Sequence, residues 1–218
     1  MALDERKRGV TMNPSERFSM SLGDAIFSLR AIRRVKADPI PEEDLRDMLL
    51  AATRAPSGGN GQPWHFLVVR DAKQRRKFGE LYREAWWAKR ADQGIHGPED
   101  IDASNYTTQS AMRLAEEVGE APAIVLVCST EQGVGAMGSV IPAVQNLLLA
   151  GRALGIGGTI TTLHPVVDER MKTMFGMPSG AQIVYCVPLG YPKGKFGEVT
   201  RKPLNEVVSG ERWGTPLG

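Results

Sequence analysis

Along this chain apolar residues follow two patterns, recurring at helical intervals in some stretches and running together in others. Over 21–34, Leu22, Ala25, Ile26, Leu29 and Ile32 share a helical face, with Ser21 and Asp24 as capping candidates. Pro41 and the acidic run 42–44 open a second helix, striped by Leu45, Met48, Leu49 and Ala52. It must end at APSGGNGQP, 55–63. The run HFLVV at 65–69 predicts a buried strand. A helix over 71–90 carries Phe78, Leu81, Tyr82, Ala85 and Trp86 on or near one face; 91–105 is a polar loop, long for a compact domain, and 106–118 is helical again. APAIVLVCS at 121–129 predicts a second buried strand. After a glycine-rich bend, 139–155 reads as a long helix, apolar nearly all round, with Pro142 in its first turn. Such a helix belongs at the centre of a fold or in a subunit contact. An extended piece at 158–162, a helix at 166–175 and a buried strand at 181–190 follow, then a tail, 191–218, without clear periodicity. Residues 1–20 are polar and aperiodic and predict a mobile arm. Helices alternating with a few continuous apolar strands imply an α+β or α/β fold with its sheet covered on both faces.

Composition narrows the picture little but excludes several classes. At 218 residues, 42% of them hydrophobic and 24% charged, the chain suits one soluble domain that needs no disulfide or metal to hold it. Its 27 basic and 25 acidic residues leave a net charge of +2, which gives no global attraction for nucleic acid or an anionic membrane. No uninterrupted apolar run approaches the roughly 18 residues of a bilayer span, and the first residues lack the apolar core of a secretory signal. A cytoplasmic protein without nucleic-acid or membrane partners is expected. Cys128 and Cys186 both sit inside apolar runs, which excludes a disulfide scaffold or a cysteine zinc cage.

Several apparent motifs fail on their details. Gly133-Val-Gly135-Ala-Met-Gly138 fits the dinucleotide fingerprint, but residues intervene between it and the strand, and no acidic residue stands about 20 positions on. Gly190–Lys195 has one residue too few for a phosphate loop and Phe196 where Ser or Thr should bind magnesium. His65, His96 and His164 are scattered, and no metal site is expected. Neither cysteine has a basic cluster to activate it. If the chain is an enzyme, a bound cofactor carries the reactive atoms.

Three segments have compositions that packing alone does not explain. Arg30, Arg33 and Arg34 crowd three guanidiniums around a predicted helix end, where an anion such as phosphate would relieve their repulsion. Pro56–Trp64 joins glycine density, which permits close backbone approach, to the short polar groups of Ser57 and Asn60. Gly157–Thr162 offers hydroxyls and free amides suited to a polar planar ring, and Arg201-Lys202 adds a late basic pair.

Arg-x-x-Arg-Arg, Pro-x-Pro-Glu-Glu, Ala-Pro-Ser-Gly-Gly-Asn-x-Gln-Pro-Trp-x-Phe and Arg-Lys-Pro-Leu, in this order and spacing, resemble the FMN-dependent nitroreductase family over about residues 21–208. The resemblance implies an α+β, nitroreductase-like domain with a mixed β-sheet flanked by helices, in an intertwined homodimer that holds one FMN in each of two interface clefts. Residues 1–20 would be an arm, 21–208 the FMN-binding domain, and 209–218 a tail, the C-terminal region wrapping the partner; helix 139–155 would be a main dimer element. Arg30 and Arg201 would hold the phosphate, with Lys202 a weaker candidate. Arg33 would face the N1/O2 edge of the ring, while Ser57, Gly58 and Asn60 would meet the ribityl chain or ring edge. Ile160, Thr161 and Thr162 would pass the isoalloxazine, Thr162 near N5. An excursion at 79–110, containing Trp86, Trp87, His96 and Tyr106, would form a lid that selects the acceptor.

The chain departs from the family pattern in two places. Where relatives often read Arg-Arg-Ser it has Leu29-Arg30-Ala31, losing a guanidinium and a hydroxyl for which Arg34 could compensate. The lysine by which dehalogenating members read their zwitterionic substrate falls at Ala115, which argues against that substrate. The implied chemistry is ping-pong: NADH or NADPH passes hydride to flavin N5 and leaves, then a nitroaromatic, quinone or enone is reduced, with no obligatory side-chain acid or base. A flavin-fragmenting oxygenase and a non-catalytic flavin-binding protein remain open alternatives.

Overall fold

Residues 13–162 and 165–218 are described by the computed structural model. The first twelve positions of the expected arm, and His164, lie outside the described residues. The described part of that arm is tethered. Helix α1 (Pro14–Arg17) ends in Arg17, whose guanidinium bonds the carboxylates of Asp44 and Asp47, both buried on helix α3 (Glu42–Ala52). Between them, α2 (Leu22–Ser28) is capped by the Ser21 hydroxyl, which accepts the Asp24 N–H at 3.0 Å.

The remaining elements are β1 (Trp64–Val69), α4 (Ala72–Ala91), α5 (Tyr106–Glu117), β2 (Ala123–Ser129), α6 (Val134–Ala153), β3 (Gly157–Gly158), α7 (Pro165–Met174) and β4 (Gln182–Gly190). The strands form one sheet in the order β1-β2-β4-β3, and each described pair is antiparallel rather than mixed. Strand β2 is buried along its whole length, and its side chains alternate between two cores. Val125 and Val127 point into one core with Met48, Val140, Val144 and Leu147 of α3 and α6. Ile124, Leu126 and Cys128 point into the other with Phe78, Tyr82, Leu114 and Met171 of α4, α5 and α7. Helices on both faces are what the continuous apolar strands require.

Two elements differ from expectation. Helix α2 stops at Ser28, and Arg30–Arg34 run on extended, because the Ile32 N–H bonds the Gly158 carbonyl at 2.8 Å instead of a helical one. Val35 then bridges Pro192, and the Lys36 and Lys193 N–H groups bond Tyr191 and Arg34 carbonyls at 2.7 and 3.0 Å. The guanidiniums therefore stand on a sheet-edge segment, not at a helix end. Helix α6 starts at Val134, so Gly135 and Gly138 are helical and Pro142 is interior. Only Gly133, at φ 99°, makes the bend, which disposes of the dinucleotide-loop reading.

Helix α6 is also long and apolar enough to cross a membrane, with a mean hydropathy of 1.4 over its most apolar stretch. Half of that stretch is buried in the fold, as in the core helix of a globular domain.

Candidate functional site

The arginine segment, the start of the 157–162 segment and the chain beyond β4 meet at one end of the sheet, from which 157–162 runs along β4 as far as Cys186. Gly157 and Gly158 let this happen. A Cβ on Gly157 would lie 2.6 Å from Ile32 Cγ1, and one on Gly158 would lie 2.9 Å from the Pro188 carbonyl. Arg30 and Ala31 are exposed and Arg33 is half-buried. Thr161 exchanges both backbone hydrogen bonds with Cys186, at 3.0 and 2.8 Å, and its hydroxyl also donates to the Cys186 carbonyl at 3.0 Å. This bridge presents Ile160 and Thr162 outward, Ile160 being 43% exposed. Past β4, the Gly197 N–H bonds the Ser28 carbonyl at 3.2 Å and leads to Arg201 and Lys202, both exposed. Arg201 donates to the neighbouring Thr200 carbonyl at 3.0 Å.

Arg34 does not join this group. Its Nε and Nη2 each lie 3.3 Å from Glu117, which also pairs with Lys193 at 3.3 Å. Burial raises the Glu117 carboxyl, but the Arg34 and Lys193 hydrogen bonds and charges outweigh it and hold the group below its ordinary value. The expected compensation by Arg34 is thereby corrected: its guanidinium is committed to holding the end of α5.

Tyr82 is a residue that sequence reasoning missed. Only 6% exposed and stacked on Phe78 with ring centroids 5.8 Å apart, it was readable merely as one more apolar position on α4. Burial pushes its phenol up, against the lowering effects of a hydrogen bond with Thr161 and of the Arg33 charge. The phenol therefore feels both Thr161 and the charge of the half-buried Arg33.

The 57–62 loop lies elsewhere. The Gly58 N–H bonds Ser139 Oγ at 3.2 Å on α6, and the Gln62 N–H bonds Ser57 Oγ at 3.2 Å. Gly59, Asn60 and Gln62 all have positive φ, 57°, 57° and 50°. Two non-glycine residues in that region within one short loop mark strain of the sort held at functional sites. Gly58, Gly59 and Asn60 are exposed, and a Cβ on Gly58 or Gly59 would meet nothing within 4 Å. This loop enters β1 at Trp64, which pairs with Ser129, whereas the arginine segment is fastened beside Gly158 and Pro192. The two sit at opposite ends of the sheet, about 20 Å apart by the length of β2. Helix α6 gives a second ruler: Ser139 supports the loop and Arg152 reaches Ser28, about 20 Å along the axis. A single chain does not bring the two halves of the predicted site together.

The expected lid is the pair α4–α5 with the turn between them. Its aromatic residues divide. Trp86 is 8% exposed, packed edge-on against Trp87 at 4.8 Å and under the Arg90 guanidinium at 5.0 Å. A side chain so covered cannot select an acceptor, and its assignment to the lid surface is corrected to core. Trp87 donates Nε1–H to Glu116 at 3.1 Å. Tyr106, at the start of α5, is 79% exposed and free to meet a ligand. Ala115 is 1% exposed beneath α4, so that position would present no side chain to any substrate. The argument against dehalogenation that rested on Ala115 therefore loses its support. No cluster of metal-binding side chains occurs among the described residues.

Comparison with known proteins places this geometry. Residues 26–191 match the model of the Nitroreductase family. The chain is similar to an NADH dehydrogenase of Thermus thermophilus, 33% identical over 195 residues that cover 84% of this chain and 93% of the relative. It is similar to an iodotyrosine deiodinase of Thermotoga neapolitana, 31% identical over 192 residues, covering 86% and 95%. Among solved structures, oxidized iodotyrosine deiodinase bound to FMN and 3-iodo-L-tyrosine superposes with a TM-score of 0.73 at 26% identity, over 88% of this chain and 99% of that one. The fold is also that of an FMN-dependent nitroreductase of Mycobacterium smegmatis in complex with NADPH, with a TM-score of 0.69 at 21% identity, covering 92% and 100%.

Proposed function

The chain belongs to the nitroreductase family, and on that premise we propose that it is an FMN-dependent oxidoreductase, acting as a homodimer, that draws on NADH or NADPH to reduce an electron-poor acceptor. The observation that carries this reading is the separation of the two half-sites. An exposed arginine end and an open glycine loop stand about 20 Å apart on one chain. In a two-fold dimer each loop faces the partner's arginine end, and two equal clefts result.

The donor set suits FMN. A phosphate of roughly two negative charges matches the exposed guanidiniums of Arg30 and Arg201, with Lys202 beside them. Arg33, half-buried, would face the N1/O2 edge of the ring, where a fixed cation favours negative charge. Ile160–Thr162 would line the ring, with the Thr162 backbone or hydroxyl toward N5. Ser57, Gly58 and Asn60 of the partner copy's loop meet the ribityl chain or ring edge, the open space over Gly58 and Gly59 allowing close approach. When bound, FMN would supply the two-electron redox chemistry that links a nicotinamide donor to the acceptor in a ping-pong cycle. The protein orients the two reactants in turn and keeps water from the ring. Tyr106 bounds the acceptor's side of the cleft.

The visible spectrum of the purified protein tests the reading, with the heat-released chromophore identified by mass, followed by titration with NADH and NADPH. A yellow dimer releasing FMN and bleached by one of them is expected; a colourless monomer that declines added FMN would end the proposal. Offering the reduced protein a nitroaromatic, a quinone and iodotyrosine separately then assigns the acceptor class. The relatives named as deiodinases make iodotyrosine the competing candidate.

A further inference from the structure

Three remote parts of the chain are tied together at Ser28. Its carbonyl accepts the Gly197 N–H at 3.2 Å, and its hydroxyl accepts Nε–H of Arg152, from the last turn of α6, at 2.8 Å. The face of the same guanidinium lies 4.3 Å from the centre of the Phe196 ring. Ser28 stands two residues before Arg30, and Phe196 five before Arg201. This knot therefore joins the two segments proposed to hold the phosphate, and it has a cation at its centre.

That cation is uncommitted. Among the described residues no carboxylate pairs with Arg152, whereas Arg34 is spent on Glu117. The neighbours of Arg30, Leu29 and Ala31, carry no side-chain donors. A guanidinium fixed at Nε and across one face keeps its other N–H groups in a planar fork suited to phosphate oxygens, with little rotamer freedom left to lose. We propose that Arg152 is a further phosphate-binding residue, supplying from α6 the charge-assisted hydrogen bonds that Arg34 cannot, with Ser28 and Phe196 as its positioning residues. This rests on the FMN reading above.

Riboflavin, which shares the ring and ribityl chain but lacks the phosphate, separates the two roles open to Arg152. Dissociation constants for FMN and riboflavin are measured by fluorescence quenching on flavin-stripped protein, for the wild type, Arg152→Gln and Arg152→Lys. Loss of charged hydrogen bonds predicts FMN binding weakened roughly tenfold or more in Arg152→Gln, with riboflavin binding unchanged. Arg152→Lys keeps the charge and most of the packing, and serves where the glutamine variant does not fold; it should lose a few-fold in FMN affinity and nothing for riboflavin. Equal weakening for both flavins, or for neither, would make Arg152 a structural latch and overturn the proposal. A wild type that binds neither flavin would instead remove the FMN reading and this inference together.

Discussion

At Gly157 a single added methyl would meet Ile32 Cγ1 at 2.6 Å and Cβ at 2.8 Å. Ile32 cannot retreat without carrying the extended Arg30–Arg34 segment with it, since its N–H is bonded to the adjacent Gly158. Gly157→Ala should therefore cost about 1–3 kcal/mol by overpacking and weaken flavin binding as well, read by thermal unfolding and by FMN titration; a stable variant with unaltered affinity would detach this contact from the site. The thiols behave oppositely, as bystanders. Burial, helped slightly by Asp168, pushes Cys128 up to about 11, and Cys186 is raised further still by burial. Neither should react with a disulfide reagent at pH 8 until the protein unfolds, and prompt labelling of the native protein would contradict their burial. At this scale the sequence displayed chemistry but not allegiance. Arg30 and Arg201 are exposed, yet nothing in the order of residues distinguishes Arg33, whose charge lowers the Tyr82 phenol, from Arg34, tied to Glu117 on α5. Arg152, inside an apolar helix, gave no signal at all, because its partners come from positions 28 and 196.

Whole elements were legible wherever burial sets the period. Strand β2 and helix α3 lie close to where their apolar runs put them, but the errors at α2 and α6 share one cause. Local propensity would carry α2 through Arg34 and delay α6 beyond its glycines; hydrogen bonds from the sheet edge end the first, and α6 starts at Val134 in spite of its glycines. The α4–α5 pair shows what this means for function. Trp86 and Tyr106 read alike as aromatics beside a polar loop, and only packing separates them. Trp86→Ala should destabilise by about 3–5 kcal/mol, as large buried side chains do, whereas Tyr106→Ala should leave the melting temperature unchanged and alter KM across a panel of acceptors. Should Trp86→Ala melt like the wild type, or Tyr106→Ala keep every KM, this division of the lid fails. The end of α5 also carries a pH dependence. Glu117 is held below its unfolded value of about 4.3, so its pairs with Arg34 and Lys193 contribute stability above that pH, and the contribution fades as pH falls through the folded value. Glu117→Gln should lower stability at neutral pH and flatten this part of the acid limb, measured by denaturant unfolding at pH 7 and pH 3.

For the molecule as a whole, the proposed dimer is legible in the sequence only as an excess. A helix apolar on every side has more hydrophobic surface than one sheet can cover, and α6 indeed leaves Ile141 48% exposed, while on α2 Phe27 is 74% and Leu22 71% exposed. Leu22, Leu50, Asn146 and Leu149 also line a groove of about 500 Å³ between α2, α3 and α6. The sequence cannot show which copy of a segment completes which cleft, because pairing across a two-fold axis leaves no periodicity in one chain. The exposure itself supplies the test. Since Phe27 and Ile141 contribute little to the protomer's own core, Phe27→Asp and Ile141→Asp should leave its secondary structure and most of its thermal stability intact. A charge placed in an apolar subunit contact must be desolvated on association, which costs several kcal/mol. The variants should therefore sediment as monomers. Flavin should be lost with the partner, although every arginine proposed to hold it remains in place, because the Ser57–Asn60 loop then has no opposite end to cover. A folded monomer that still binds FMN as tightly as the wild type would show that one chain's arginine end suffices, and the two-copy cleft would have to be given up.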